Sequence, residues 1–456
     1  MGVLLAGQPH AKRAEWIESD LFARAMCVKS ETCAVLILSC DVLMLTNRTV
    51  ELAQGLISSR TGIDSQNVLI AATHTHSGPT TAPVLGVKEG DGYLDWLCDK
   101  VADVASCAWS GAQPARLFVA GSSVEGLAFC RRFLMRDGTV QTHPLKNDPG
   151  MLQAEGPVDS ELGVIYALDD TGTFLGGIVN FACHATVLER YSTCISADYP
   201  GYTSRMLAEE MNPDSTVLFL NGPFGDVCQV DALNAGQVEI GSEYAQHMGR
   251  RLAEASAEAI RAGGQELTEL RVAKDVLSLP TRRVPDDVLN QANQALRDGF
   301  SPDSGLILSD YGSETFGSLS AGKLSLEDLL ATEWGVKFKA SEAVSLAQEA
   351  ARNPMTNIPT SVVTGGDFAL VAIPCELFSE FGLEIKSRSP FKCTLVSGLT
   401  NGWVGYVPTE KAFSRVGGYE TIYSTVSRLP ENAGRLLTDR VLDLLQKQSD
   451  SGGANR

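Results

Sequence analysis

Apolar and polar positions along the chain fall into short apolar runs that alternate with stretches of helical spacing. The tract 34–45 is almost wholly apolar and predicts a strand, and 47–59 follows with helical periodicity and Asn47 as the expected cap. Further strands are predicted at 68–73, 117–119, 163–168, 175–181 and 217–220, with helices near 94–109, 202–211 and 243–262. Strand and helix alternating in this way predict an α/β fold. The sheets should be mixed and layered with helices, because several connections are too short for parallel crossovers.

Residues 282–353 carry a different pattern. Helical stretches rich in Ala, Glu and Leu at 285–297 and 325–352 flank a Gly- and Ser-rich stretch at 298–323. This segment is read either as an insertion that shapes or covers a site or as an ordinary helical layer. The chain as a whole is read as a single domain over 1–456, ending in a polar tail at 449–456 expected to be disordered. There is no internal repeat.

Composition narrows the class. With 456 residues, 44% of them hydrophobic, the chain can bury a large core. A net charge of −18 argues against nucleic acid and anionic membrane surfaces as partners, since both favour basic patches. No apolar run is long enough for a membrane span. The opening Met1-Gly2-Val3-Leu4-Leu5-Ala6-Gly7 lacks the charged start and long apolar stretch of a signal peptide, so a cytoplasmic location is expected. Eleven cysteines without a CxxC pair are expected to be reduced thiols.

Only six histidines are present, and two of them stand in Thr73-His74-Thr75-His76-Ser77-Gly78-Pro79 directly after an apolar run. On a strand, positions i and i+2 share a face, so His74 and His76 are expected to converge where the Gly-Pro turn ends the strand. Such a pair suits a metal site or acid–base work, or is simply two hydrogen-bonded surface histidines. A third histidine, His184, ends the apolar run 175–183. The segment Ile195-Ser196-Ala197-Asp198 follows it, and Gly225-Asp226-Val227 lies further on. Asp198 and Asp226 are candidates to accept hydrogen bonds from ligand histidines or to cap turns. Gly398 to Gly402 and Gly417-Gly418 are turn residues, since neither opens a lysine-containing phosphate loop. His10, His143 and His247 have no supporting context.

Taken together, these segments resemble the catalytic domain of the neutral (non-lysosomal) ceramidase family, which are zinc amidases. The resemblance rests on Thr73 to Pro79, Asn180 to Thr186 with Ile195 to Asp198, Gly225-Asp226-Val227, Ile373-Pro374-Cys375-Glu376, and Asn401 to Glu410 with Tyr419-Glu420, in that order. It implies one zinc ion per chain, held by His74, His184, Glu376 and Tyr406. It also implies that His76, Arg131 and Tyr419 surround the substrate amide. Cys228 stands where the family has serine, Gln229-Val230 where it has Pro-Asn, and Cys130 where it has asparagine. These departures fall near the expected substrate contacts, and nothing resembling the family's C-terminal β-sandwich follows the Tyr406 region. The expected activity is therefore zinc-dependent hydrolysis of a linear amide on a small soluble substrate. A Cys228-dependent thiol amidase or esterase on the same fold, or a non-catalytic metal-stabilised binding protein, are the alternatives. The sequence carries no signal for oligomeric state.

Overall fold

The computed structural model describes residues 2–7, 13–83, 92–188, 193–297 and 325–453. The Gly- and Ser-rich stretch, His10 and the last residues of the tail lie outside these. Three mixed sheets meet over a shared core, and each has one parallel strand pair. In the first, β1 (Ala23–Lys29), β2 (Ala34–Cys40) and β3 (Val68–Ala72) lie in that order; β1 and β2 are antiparallel, β2 and β3 parallel. Helix α1 (Asn47–Thr61) makes the crossover and packs beside α2 (Tyr93–Ser110).

The second sheet holds β4 (Arg116–Ser123), β5 (Glu161–Leu168), β6 (Phe174–Phe181), β7 (Thr216–Asn221) and β8 (Gln265–Glu266), in the order β7-β6-β5-β4-β8. Its parallel pair, β6 and β7, is bridged by α3 (Asp198–Met211), which packs against α4 (Ser242–Ala262). The third sheet runs β9 (Arg271–Pro280), β10 (Met355–Gly365), β11 (Phe368–Ala372), β12 (Cys393–Ser397). Between β9 and β10 stand α5 (Asp286–Ala295), α6 (Leu326–Ala331) and α7 (Glu333–Arg352). Helix α8 (Ser379–Arg388) bridges the parallel pair β11 and β12, and α9 (Ala433–Gly453) packs on α8.

Ile37 and Leu69 from the first sheet, Ile178 and Leu218 from the second, and Leu370 and Leu395 from the third interlock between the sheets. Each such side chain contributes about 1.5–3 kcal/mol by leaving water. Strand β3 is buried at every position because its alternate faces serve two cores. Val68, Ile70 and Ala72 meet α1 and α2, while Leu69 and Ala71 face the other sheets. That double burial is why its sequence is a continuous apolar run.

Several boundaries differ from the sequence expectation. The strand expected at 117–119 runs over Arg116–Ser123, the helix expected from 202 begins at Asp198, and 449–453 of the tail, expected to be disordered, continue α9. Three further differences have a visible cause. The tract 34–45 leaves the sheet after Cys40, where the Asp41 carboxylate accepts from Phe22 N and pairs with Arg24 at 2.8 Å. Helix α1 is capped by Thr46, whose hydroxyl accepts from Thr49 N at 3.1 Å; Asn47 Oδ1 accepts instead from Trp403 N at 3.1 Å. The stretch 325–352 is two helices, because Thr332 is extended and its hydroxyl caps α7 through Gly335 N.

Candidate metal centre

Each parallel pair ends at the same place. The chain leaving β2 and β3 gives residues 41–43 and 73–76, that leaving β6 and β7 gives 182–184 and 222–228, and that leaving β11 and β12 gives 373–376 and 398–406. Backbone bonds join the two loops within each set, His74 N to Val42 O at 3.0 Å, His184 N to Val227 O at 3.3 Å and Glu376 N to Gly405 O at 3.0 Å. Others join the sets to one another, His76 N to Ala185 O at 3.2 Å, Gly225 N to Leu377 O at 2.9 Å and Gly398 N to Asn221 O at 2.9 Å. Carboxyl ends of parallel strands are the usual place for a site in α/β sheets.

His74 and His76 converge here, but by a different route from strand alternation. Strand β3 stops at Ala72, and His74 has φ 68°, in the left-handed region. That turn folds the two rings edge to face, with Nε2 atoms 3.2 Å apart. His74 Nδ1 donates to Leu43 O at 2.7 Å and His76 Nδ1 to Gly7 O at 3.0 Å. His184 Nδ1 faces two carbonyls, Phe224 O at 3.0 Å and Val227 O at 2.9 Å. With each Nδ1 hydrogen committed to a carbonyl, each Nε2 presents a lone pair to the centre.

Glu376 completes the cluster. Its Oε1 accepts from Trp403 Nε1 at 3.0 Å, while Oε2 has no hydrogen-bond partner and lies 3.5 Å from His74 Nε2 and 3.4 Å from His184 Nε2. Tyr406 is the register partner of Glu376 in a two-residue parallel ladder, and its ring stacks on His184 with centroids 6.5 Å apart. Burial holds the His74 imidazole well below the usual range. Burial together with Arg131 holds His184 down to about 4. Burial alone raises the Glu376 carboxyl, but His74, His184 and the Trp403 N–H outweigh it, and the group stays anionic. Burial and the Glu376 charge push the Tyr406 phenol well up.

This donor set fits a transition metal. Neutral imidazole nitrogens and one carboxylate oxygen are the ligands zinc takes, and tetrahedral bonds of about 2.1 Å place ligand atoms about 3.4 Å apart. The measured separations of 3.5 and 3.4 Å around Glu376 Oε2 are of that size. The ligand atoms of His74, His76 and His184 all lie within 4.8 Å of one another. The buried Glu376 Oε2 has no hydrogen-bond donor and faces the Nε2 atoms of His74 and His184, an arrangement that a cation among them stabilises.

Arg131 reaches the same centre from the segment that pairs Phe129–Cys130 with Val227–Cys228. Its Nη1 donates to His184 Nε2 at 3.2 Å, and its Nη2 donates to Gly225 O at 2.9 Å and Tyr406 Oη at 3.2 Å. Tyr419 meets Tyr406 edge to face at 6.0 Å. It is covered by Leu329, Leu330, Trp334 and Phe338 of α6 and α7. The helical segment therefore packs over one wall of the site. Cys228 is buried, with Sγ 3.9 Å from His143 Nδ1.

Some readings from sequence change. Asp198 accepts from the N–H groups of Tyr199 and Leu188, and Asp226 from Ser379 N at 2.8 Å, while backbone carbonyls orient His74, His76 and His184. His143, given no role, is the neighbour of Cys228. Trp403 and Glu420 stood inside quoted segments without a function, and Phe224, packed on His74 and His184 at 4.9 and 4.7 Å, carried no sequence signal. Cys40, Cys98, Cys130, Cys183 and Cys375 are buried thiols outside any disulfide.

The chain is a mixed α/β protein in which histidines and a carboxylate, a donor set that could hold a metal ion, gather at the ends of parallel strands. Residues 7–239 match the neutral/alkaline non-lysosomal ceramidase N-terminal family, just over half of the chain, and the chain belongs to that family of amide hydrolases. It is 31% identical over 149 residues to the neutral ceramidase of Pseudomonas aeruginosa, covering 31% of this chain and 21% of that protein. Neutral ceramidase B of Dictyostelium discoideum is 26% identical over 181 residues, covering 38% and 24%. The matched stretches thus span less than a quarter of these relatives' length. Two solved structures share the fold. One is a ceramidase complexed with C2, at TM-score 0.73 and 17% identity, covering 99% of this chain and 73% of that one. The other is the neutral ceramidase from Pseudomonas aeruginosa, at TM-score 0.69 and 16% identity, covering 98% and 72%.

Proposed function

We propose that this protein is a zinc-dependent hydrolase of linear N-acyl amides, with one zinc ion per chain held by His74, His184, Glu376 and Tyr406. The observation that carries the reading is Glu376 Oε2, a buried carboxylate oxygen without a hydrogen-bond donor, set between the Nε2 atoms of His74 and His184. Tyr406 is taken as the fourth ligand because its ladder pairing with Glu376 brings the two side chains out side by side. Zinc bound there supplies a Lewis acid and lowers the pKa of a bound water to about 7.

The chain's own residues account for the rest of the reaction. The Arg131 fork and the Tyr419 hydroxyl are donors beside the centre, placed to orient the amide carbonyl and to stabilise the charge that grows on its oxygen. Such a donor is commonly worth about 3 kcal/mol. His76, next to His74 but outside the ligand set, takes a proton from the attacking water on Nε2 and passes it to the leaving amine. Helices α6 and α7, packed over Tyr419, keep water from that wall and make the helical segment part of a single catalytic unit.

The substrate class we favour is a small soluble N-acyl amine. Cys228 and Cys130 replace polar residues on neighbouring strands of one short ladder, and the charge of −18 disfavours docking on an anionic bilayer. Among the described residues no helix is long and apolar enough to cross a membrane. A cytoplasmic location remains part of the proposal.

A second reading has one observation in its favour. His143 Nδ1 lies 3.9 Å from Cys228 Sγ, a loose form of the thiol–imidazole pairing that a thiol nucleophile uses. Metal analysis of the purified protein, with turnover of N-acyl amines, N-acyl amino acids and ceramides before and after chelation, separates the two. Chelator-sensitive amide hydrolysis with about one zinc per chain supports the metal reading. Chelator-resistant hydrolysis assigns the reaction to Cys228.

A further inference from the structure

We infer that Glu420 is a positioning residue for amide hydrolysis: one buried carboxylate fixes both the Arg131 guanidinium and the Tyr419 turn against the metal centre. Its Oε1 accepts from Arg131 Nε at 2.8 Å, and its Oε2 accepts from Arg132 Nη1 at 2.5 Å and Thr142 Oγ1 at 2.8 Å. The same Thr142 hydroxyl oxygen accepts from Tyr419 N at 3.1 Å. Through Thr142 the carboxylate is thus tied to the backbone of the residue that presents the second tyrosine.

The geometry of Arg131 makes this tie matter. An arginine side chain has about 2 kcal/mol of rotamer entropy to lose when it is ordered. Here the Nε–Glu420 bond fixes the plane of the fork, so that Nη1 points at His184 Nε2 and Nη2 at Tyr406 Oη. Glu420 and both arginines are buried, and Arg132 spends further hydrogen bonding on Glu155 Oε2 at 2.5 Å. The network sets Arg131, Arg132 and Arg415 against Glu420 and Glu155. Burial, which raises the Glu420 carboxyl, is outweighed by the two guanidinium groups, and it stays anionic. A well-packed apolar cluster of similar volume holds a core as well as such a network does. What an apolar cluster does not give is the aim of the guanidinium.

The kinetic part of this inference rests on the amide-hydrolase reading; the structural part does not. The structural readout is hydrogen exchange at the Arg131 Nε–H, followed by 15N NMR and assigned with Arg131→Lys. Glu420→Gln is expected to speed that exchange at least about tenfold by removing the charged acceptor. In kinetics, Glu420→Gln is expected to lower kcat about 10–100-fold, with KM within about twofold and metal content unchanged. In an Arg131→Met background the same substitution is expected to change kcat less than about threefold, because its effect passes through Arg131.

Unchanged exchange at Arg131, or an equal loss of kcat in both backgrounds, overturns the inference. If the wild-type protein hydrolyses none of the amides, the activity reading fails, and exchange alone still decides the role of Glu420. If Glu420→Gln does not fold, Thr142→Val takes one partner from the carboxylate and one from Tyr419 N. A kcat lowered about threefold or more at constant KM then supports the inference, and an unchanged kcat overturns it.

Discussion

Trp403 Nε1 donates to Glu376 Oε1 at 3.0 Å, and this one bond decides which oxygen of the carboxylate faces the histidines. With Oε1 engaged by the indole, Oε2 is left toward His74 and His184. Arg428 lies over the Trp403 ring at 4.8 Å and packs on the indole as well. Trp403→Phe keeps the ring and removes the N–H. Metal affinity is expected to fall about 10–100-fold, the usual cost of losing a partner behind a ligand. Competition with a chelating dye measures it, and an unchanged affinity would show that Glu376 needs no support from the indole.

Ligands and substrate-facing groups should separate by what each loses. His184→Ala and Glu376→Ala are expected to lose metal and activity together. His76→Ala and Tyr419→Phe are expected to keep the metal and to lose about 10²–10³-fold in kcat. Elemental analysis beside single-substrate kinetics gives both quantities. Since His76 Nε2 lies 3.2 Å from His74 Nε2, loss of metal in His76→Ala would move His76 into the ligand set.

Cys228 offers a cleaner contrast. A metal-dependent reaction needs no thiolate, so Cys228→Ser is expected to retain turnover within about threefold, with a change in substrate preference, while chelation abolishes activity. A Cys228→Ser protein that is dead while its metal content is normal would give the chemistry to the thiol and His143.

Glu327 on α6 predicts a pH dependence of stability. Its carboxylate accepts from Thr142 N at 2.8 Å, and burial, with the nearby Glu420 charge, pushes its pKa up to about 8 against an ordinary 4.5. Because the folded state holds this proton more tightly than the unfolded state, its contribution to stability is complete below about pH 4.5. The contribution is lost as pH rises through about 8. Glu327→Gln keeps the acceptor and removes the titration. Its Tm should match wild type near pH 5 and exceed it by about 2–6 °C near pH 9. Thermal melts across that range check this, and parallel Tm–pH curves would refute it.

Local pattern determined much of this protein. The apolar runs that became β2, β3, β6 and β7 were legible because strands buried on both faces have few polar positions to interrupt them, and α2, α3 and α4 because one helical face must meet a core. His74, His76 and His184 were legible as candidates because each follows such a run, at a strand end where a loop can present it. The sequence erred where a long-range partner overrode a local preference. Thr46 caps α1 because Asn47 is taken by Trp403 N, more than three hundred residues away in sequence. His74 reaches His76 through a left-handed turn because its amide and ring are held by Val42 O and Leu43 O.

What only the tertiary structure decided is the second layer of the site. Nothing in local sequence marks the carbonyls of Leu43, Gly7, Phe224 and Val227 as the acceptors that set each histidine's tautomer, because every residue has a carbonyl and only the packing of loops selects four of them. The same holds for Glu420, whose partners Arg131, Arg132 and Thr142 lie far upstream in the chain. A carboxylate's burial and charge depend on which guanidinium groups the fold brings to it. That choice is made by the packing of the three sheets and their loops, and local periodicity carries no information about it.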